Sequence, residues 1–328
     1  DVLQPIIDAR DEIKAAIHRE RQRDEPDEKR LDELEGRSGA LKWILVACFG
    51  YQGFSNAKFG RIECHEAINA FAREILLTAK DRLEADGWRV VHGIVDSIWV
   101  TPDPDVDDTQ REDLETLATD ITEEIEIRLE YEAHYDWVAF VPQRESNTGA
   151  LTKYFGKISG EEQFKLRGIE ARQRSTPPFI EAVQRECIEV LDETRSADVV
   201  IRRLKAAISS LHSGEVAASQ LVERNRVSKP LEGYTQNTQN VAALKRARDQ
   251  ELGVHPGQDI EYVVVDDQKL SRDRVALAHE EIEEYDPEYY ETQLVRAVES
   301  VLSPKGWDRT DIRRELAETT TSRLRDFC

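Results

Sequence analysis

The spacing of the apolar residues changes character part-way along this chain, and that change dictates a mixed fold. Leu3, Ile6, Ile7, Ile13 and Ile17 fall on one arc of a helix over 2–23, and Ile68, Phe71, Ile75, Leu76 and Leu83 face inward on another over 63–85. At 88–100 the text becomes WRVVHGIVDSIWV, β-rich residues broken by one small-residue tetrad, which reads as a hairpin or two short buried strands. Between the first two helices lies a polar connector, RDEPDEKRLDELEGRSG, followed by ALKWILVACFG (40–50). That run is apolar all round except for Lys42, so it is predicted as a buried helix ended by Gly50 and Gly53. A helix at about 109–126 (Leu114, Leu117, Ile121, Ile125) leads into the strand-like LEYEAHYDWVAFVPQ, with further strands expected at 151–155 and 165–170. Beyond Pro177 and Pro178 the texture is helical and polar, with a strand at EYVVVDD (261–267) and a final helix near 288–303. The predicted class is α+β.

At 328 residues the chain is long enough for two or three structural units. Its 66 Asp and Glu against 45 Lys and Arg give a net charge of −21, and the cations split into 13 Lys and 32 Arg. Abundant carboxylates with few lysines suit a protein kept soluble in concentrated salt, where repulsion is screened within a few ångströms, so the acidity does not exclude a nucleic-acid partner. Cys48, Cys64, Cys187 and Cys328 form no CxxC pair, which argues against a disulfide framework or a zinc site and fits a reducing cytoplasm. No stretch reaches the ~18 apolar residues of a membrane span. With no Met anywhere and a helical pattern starting at Asp1, the sequence reads as a piece of something longer.

Two places concentrate chemistry. Arg10 and Lys14 stand one turn apart inside the apolar arc of the first helix, where like charges disfavour each other unless an anion joins them. Their stems could equally snorkel past the apolar stripe. Lys42 is the only charge between Leu41 and Ala57, and three cations converging from two neighbouring helices would make a polyphosphate site. The second place is Asp96, a lone carboxylate between apolar strands, expected as a turn residue, an ion-pair partner or a metal ligand. Alternation would send it to the side of His92 and Ile94. Asp103, Asp105 and Asp107 imitate the start of a calcium loop, but Asp108 and Leu114 stand where Gly and a bidentate Glu are needed, so a solvated turn is expected. Cys64-His65 has no spaced partners and reads as part of a helix face.

Taken in order, these segments resemble the family B DNA polymerases, archaeal ones in particular. Arg10 and Lys14 match an Arg-x-x-x-Lys on the first fingers helix, and K42-WILVACF-G50 looks like Lys-x-x-x-Asn-Ser-x-Tyr-Gly on the second. HGIVDSIWV is similar to the Tyr-Gly-Asp-Thr-Asp-Ser hairpin of the palm, and LTKYFG (151–156) resembles Lys-Lys-x-Tyr. LEYEAHY looks like the acidic strand beside the metals, with Glu130 and Glu132 at its carboxylate positions. Val46 and Ala47 replace Asn-Ser, Phe49 keeps a tyrosine's ring without its hydroxyl, and Ile94 stands where the hairpin's first Asp is expected.

The resemblance implies fingers at 1–54, the C-terminal part of the palm at 55–176 and a mostly helical thumb at 177–328. It implies template-directed nucleotidyl transfer to a primer 3′-hydroxyl by a two-metal mechanism. Asp96 is the implied catalytic residue and, with Glu130 and Glu132, the implied magnesium ligand. Arg10, Lys14, Lys42, Phe49 and Gly50 would hold the nucleotide. The implied partners are primer-template DNA, deoxynucleoside triphosphates and the missing N-terminal half of a halophilic polymerase, which carries the other metal-binding Asp. The competing expectation, motivated by Val46 and Ile94, is a catalytically degenerate polymerase that holds DNA or a partner. Lys153, Tyr154, Lys157, Arg167, Arg172 and Arg174 form a basic island expected to track DNA phosphates, unless each pairs with a local acid such as Glu161, Glu162 or Glu170.

Overall fold

The computed structural model describes residues 3–23, 25–143, 146, 148–269 and 271–325. They form two compact units, Asp1–Tyr131 and Glu132–Cys328. The architecture is α+β, as the change of apolar spacing requires.

In the N-terminal unit, α1 (Gln4–Arg21) packs on α2 (Glu28–Gly53). The predicted connector is mostly helix: α2 starts at Glu28, capped by Asp27, whose carboxylate accepts from the Arg30 amide at 3.1 Å. Glu, Lys, Arg and Leu are strong helix formers, and they override the linker-like polarity. The short loop is tied by Glu20, buried, which accepts from the Asp27 amide at 3.2 Å and from Arg23 at 2.9 Å. The Asp27 amide is the main reason its carboxyl is held below the usual range.

The run over 40–50 is helical but not buried. Trp43 is 76% exposed, and Ile44, Val46 and Phe49 are exposed with it. Helix α3 (Ile62–Ala85) repeats the correction: Ala79 and Leu83 are buried, while Ile68 and Phe71 face solvent. Hydrophobicity marks a face that needs cover, and among the described residues of this unit these side chains remain exposed.

Strands β1 (Trp88–Ile94) and β2 (Ser97–Pro102) form the expected antiparallel hairpin, with Ile94 opposite Ser97 and Val95-Asp96 as the turn. Asp113 caps α4 (Leu114–Ile125). Ala79, Leu83, Leu117 and Ile121 make a small core against which Trp88, Ile98 and Val100 pack. Arg111 binds the acidic loop to the hairpin, donating to the carbonyls of Gly87 at 2.9 Å and Val106 at 3.1 Å beneath the Trp88 ring. Asp103 accepts from the Asp105 amide and Asp107 from Thr109, so this is a self-satisfied turn, as expected. The strand predicted to begin at 129 begins six residues later, which leaves Glu130 and Glu132 in irregular chain.

The C-terminal unit opens with an antiparallel sheet of β3 (Tyr135–Pro142), β4 (Gly149–Ile158) and β5 (Phe164–Arg167). Helices α5 (Pro178–Thr194) and α6 (Ala197–His212) follow. A second antiparallel sheet, in the order β6 (Glu223–Arg226), β7 (Asp259–Val264), β8 (Val275–Leu277), accompanies α7 (Gln239–Asp249) between its first two strands. Only the β7 strand of this sheet was legible in the sequence. Helix α8 (Pro287–Leu302) matches the predicted final helix, but α9 (Arg309–Arg325) follows it.

One large core unites these elements, with Phe155, Ile188, Leu204, Val263, Tyr290 and Val298 fully enclosed. Two of its buried polar side chains show how distant elements are tied together. Gln184 accepts from the Ala171 amide at 2.6 Å and donates to Glu170 at 3.0 Å and to the Ala297 carbonyl at 2.7 Å. The Tyr290 hydroxyl accepts from the Val264 amide and donates to the Leu221 carbonyl, both at 2.9 Å. Among the described residues no helix is long and apolar enough to cross a membrane.

Candidate nucleotide and nucleic-acid site

Two packed helices joined by a short loop run antiparallel, so residues equally far from the loop face each other. Arg10 lies eleven residues before the end of α1 and Lys42 fourteen after the start of α2, which sets them within about 4.5 Å of the same level. Arg10 is half-buried, and its Nε is enclosed without a hydrogen-bond acceptor. Among the described residues neither Arg10 nor Lys42 has an acidic partner, in a chain of net charge −21. Lys14, about a turn nearer the loop, is exposed and 3.9 Å from Asp11. Unneutralised cations at one level of two packed helices have the chemistry to attract an anion, and a guanidinium with an unpartnered Nε–H offers the stronger donor.

Next along α2 comes Phe49, 40% exposed, with its ring stacked on His65 of α3 at 4.2 Å between centroids. Gly50 is exposed, and a Cβ there would meet nothing within 4 Å.

Asp96 is exposed at the tip of the β1–β2 hairpin. Of the three readings of this carboxylate, the turn is realised. Strand pairing ends at Ile94, so alternation does not fix the side to which Asp96 points. Its neighbour Val95 has a φ of 54°, a left-handed conformation that a β-branched residue rarely adopts. Glu130 pairs with Arg128 at 2.6 Å, and Glu132 with Lys165 at 3.2 Å. Among the described residues no three His, Cys, Asp or Glu side chains gather as a metal group. The donors gathered among the described residues therefore do not by themselves make a site for a pair of magnesium ions.

The basic island divides. Lys153 is 3.8 Å from Glu170, and Arg174 is 3.7 Å from Asp259. Lys157 donates to the Glu162 carbonyl at 2.8 Å and lies over the Phe164 ring, 4.7 Å from its centroid. Arg167 and Arg172 are exposed without an acidic partner among the described residues. Tyr154 sits opposite Arg167 in the β4–β5 register, half-buried beside Phe140. Gly168, with a φ of 65°, lets the chain leave β5 here, since a Cβ would fall 2.2 Å from the Thr152 carbonyl oxygen.

Sequence reasoning missed a polar cavity of about 690 Å³ in the C-terminal unit. Its wall includes Glu170, Lys229, Arg296 and the buried Glu223. Glu223 accepts from Tyr289 and Gln293, each at 2.7 Å, and from Tyr262 at 3.1 Å, yet burial outweighs these donors and pushes its carboxyl above the usual range. The donors are 39 to 70 residues away in sequence, so no local pattern announces them.

The model of the family described as DNA polymerase family B matches residues 1–305. A DNA polymerase of Pyrococcus glycovorans is 26% identical over 330 residues, covering 97% of this chain and 40% of that protein. DNA polymerase 2 of Saccharolobus solfataricus is 35% identical over 158 residues, 48% of this chain and 23% of that one. Among solved structures, the family B DNA polymerase from the hyperthermophilic archaeon Pyrobaculum calidifontis is similar with a TM-score of 0.53 at 20% identity, over 92% of this chain and 37% of that one. At that identity the likeness concerns the fold. The chain spans about 40% of the length of the curated relatives it matches most fully. With the family's model matched from the paired helices through α8, this chain belongs to DNA polymerase family B.

Proposed function

We propose that this chain is the C-terminal polymerase part of a DNA-directed DNA polymerase, taking part in template-directed addition of deoxynucleotides to a primer. The observation that carries the reading is the family match over residues 1–305. The fingers would be residues 1–54, the palm part 55–176 and the thumb 177–328. In the reaction the primer 3′-hydroxyl attacks the α-phosphate of a deoxynucleoside triphosphate, and pyrophosphate leaves. Arg10, Lys14 and Lys42 would grip the triphosphate, Phe49 and Gly50 would line the base, and Lys153, Tyr154, Lys157, Arg167, Arg172 and Arg174 would follow the DNA backbone. The family's two-metal chemistry needs carboxylates from outside these residues, and Asp96, with Glu130 and Glu132, is what this chain would contribute.

Primer extension by the full-length parent protein in molar potassium chloride, with Asp96→Asn as the control, tests the proposal. Extension abolished by that change supports it. No extension at all, with DNA still bound, would make this a binding subunit instead. The acidic surface further supports a halophilic protein, one that loses compactness at low ionic strength. A melting temperature unchanged between dilute buffer and molar salt would contradict that.

A further inference from the structure

The turn between α2 and α3 is fixed by two features. The Tyr51 hydroxyl accepts from the Phe59 amide at 3.2 Å, and Gly60 packs so closely that a Cβ would lie 2.8 Å from the Tyr51 carbonyl oxygen. The chain therefore returns on itself and delivers His65, in the first turn of α3, to the side of α2. Its imidazole lies on the Phe49 ring at 4.2 Å with 27° between the planes. Its Nδ1 is 3.3 Å from the Phe49 carbonyl oxygen, which can only accept, so Nδ1 carries the proton. Gly53 makes this possible, because a Cβ there would stand 3.1 Å from Nδ1 and 3.3 Å from two ring carbons.

An aromatic ring on an exposed helix face ordinarily exchanges between rotamers, and a stack on one side removes that freedom while leaving the rest of the ring accessible. A tyrosine at this place could anchor its ring through the hydroxyl, and Phe49 cannot. We infer that His65 is a positioning residue, holding the Phe49 ring in the orientation that receives the base of an incoming nucleotide. The inference rests on the proposed placement of the nucleotide beside Lys42 and Phe49.

The test uses the full chain with primer-template DNA, magnesium and a fluorescent N-methylanthraniloyl deoxyadenosine triphosphate as the probe. His65→Ala raises its Kd about fivefold, the effect of one freed side chain, whereas His65→Phe, which keeps a stacking ring, stays within about twofold of wild type. In proton NMR the His65 ring signals are shifted upfield by the Phe49 ring, and Phe49→Leu abolishes that shift. Should His65→Ala lose helix by circular dichroism, His65→Gln, a donor without a ring, takes its place with the same expected rise. If the wild type does not bind the probe, or Lys42→Ala leaves the Kd unchanged, the nucleotide placement itself is wrong. If Lys42→Ala weakens binding while His65→Ala does not, or if His65→Phe falls as far as His65→Ala, the positioning role is overturned and the nucleotide placement stands.

Discussion

The two units carry similar apolar patterns and use them differently. In the C-terminal unit the stripes of α5, α6 and α8 are enclosed by one another and by two sheets, so that Ile188, Leu204 and Val298 are wholly buried. In the N-terminal unit apolar residues of α2 and α3 look outward, with Trp43 76% and Phe71 66% exposed, as is Phe59 in the turn between them at 74%. Apolar periodicity thus says that a surface wants cover, and not what provides it. The outward face of α2 also bears Lys42 and Phe49, both exposed.

Core truncation sharpens that contrast most. Leu204→Ala should destabilise the chain by about 2–5 kcal/mol in urea unfolding, whereas Phe71→Ala should cost no more than about 0.5 kcal/mol. Equal costs would mean that the α3 face is covered in solution. A smaller effect is expected at the cations. Lys42→Ala should weaken triphosphate binding about tenfold, and Lys14→Ala, beside Asp11, about twofold, with no change in melting temperature for either. Equal losses at the two lysines would remove the distinction between paired and unpaired charge.

The smallest effect belongs to Glu223. Because burial raises its pKa, the folded protein keeps this proton to higher pH than the unfolded chain, and ionising it as pH climbs through the carboxylate range drains stability. Glu223→Gln has no such titration, so the wild-type melting temperature should fall relative to the variant as pH climbs above the ordinary glutamate value of about 4.3. A difference that stays flat, or runs the other way, would show that the three donors outweigh burial.

Local chemistry was legible in the sequence, and partnership was not. The hairpin at 88–102, its turn at Asp96 and the inward Leu117 and Ile121 of α4 follow from alternation and helical spacing. The start of α2 was hidden because charged helix formers also compose linkers, and only the Asp27 cap distinguishes them. The stack of Phe49 on His65 joins residues sixteen apart through a turn that depends on Gly53 and Gly60, and a lone Cys-His pair gave no sign of it. Ile94 and Val46 were legible as departures from the family's motifs, and the structure adds that no group of three or more His, Cys, Asp or Glu side chains forms a metal site among the described residues.

Hydrogen exchange of the full chain, read by mass spectrometry, tests the placement of both ligands most directly. Primer-template DNA alone should slow exchange across 149–174, and adding a deoxynucleoside triphosphate should then slow it across 40–54 and at the start of α3, with the core of α5, α6 and α8 unchanged throughout. Protection by the triphosphate confined to the C-terminal unit, or none at 40–54, would contradict the account.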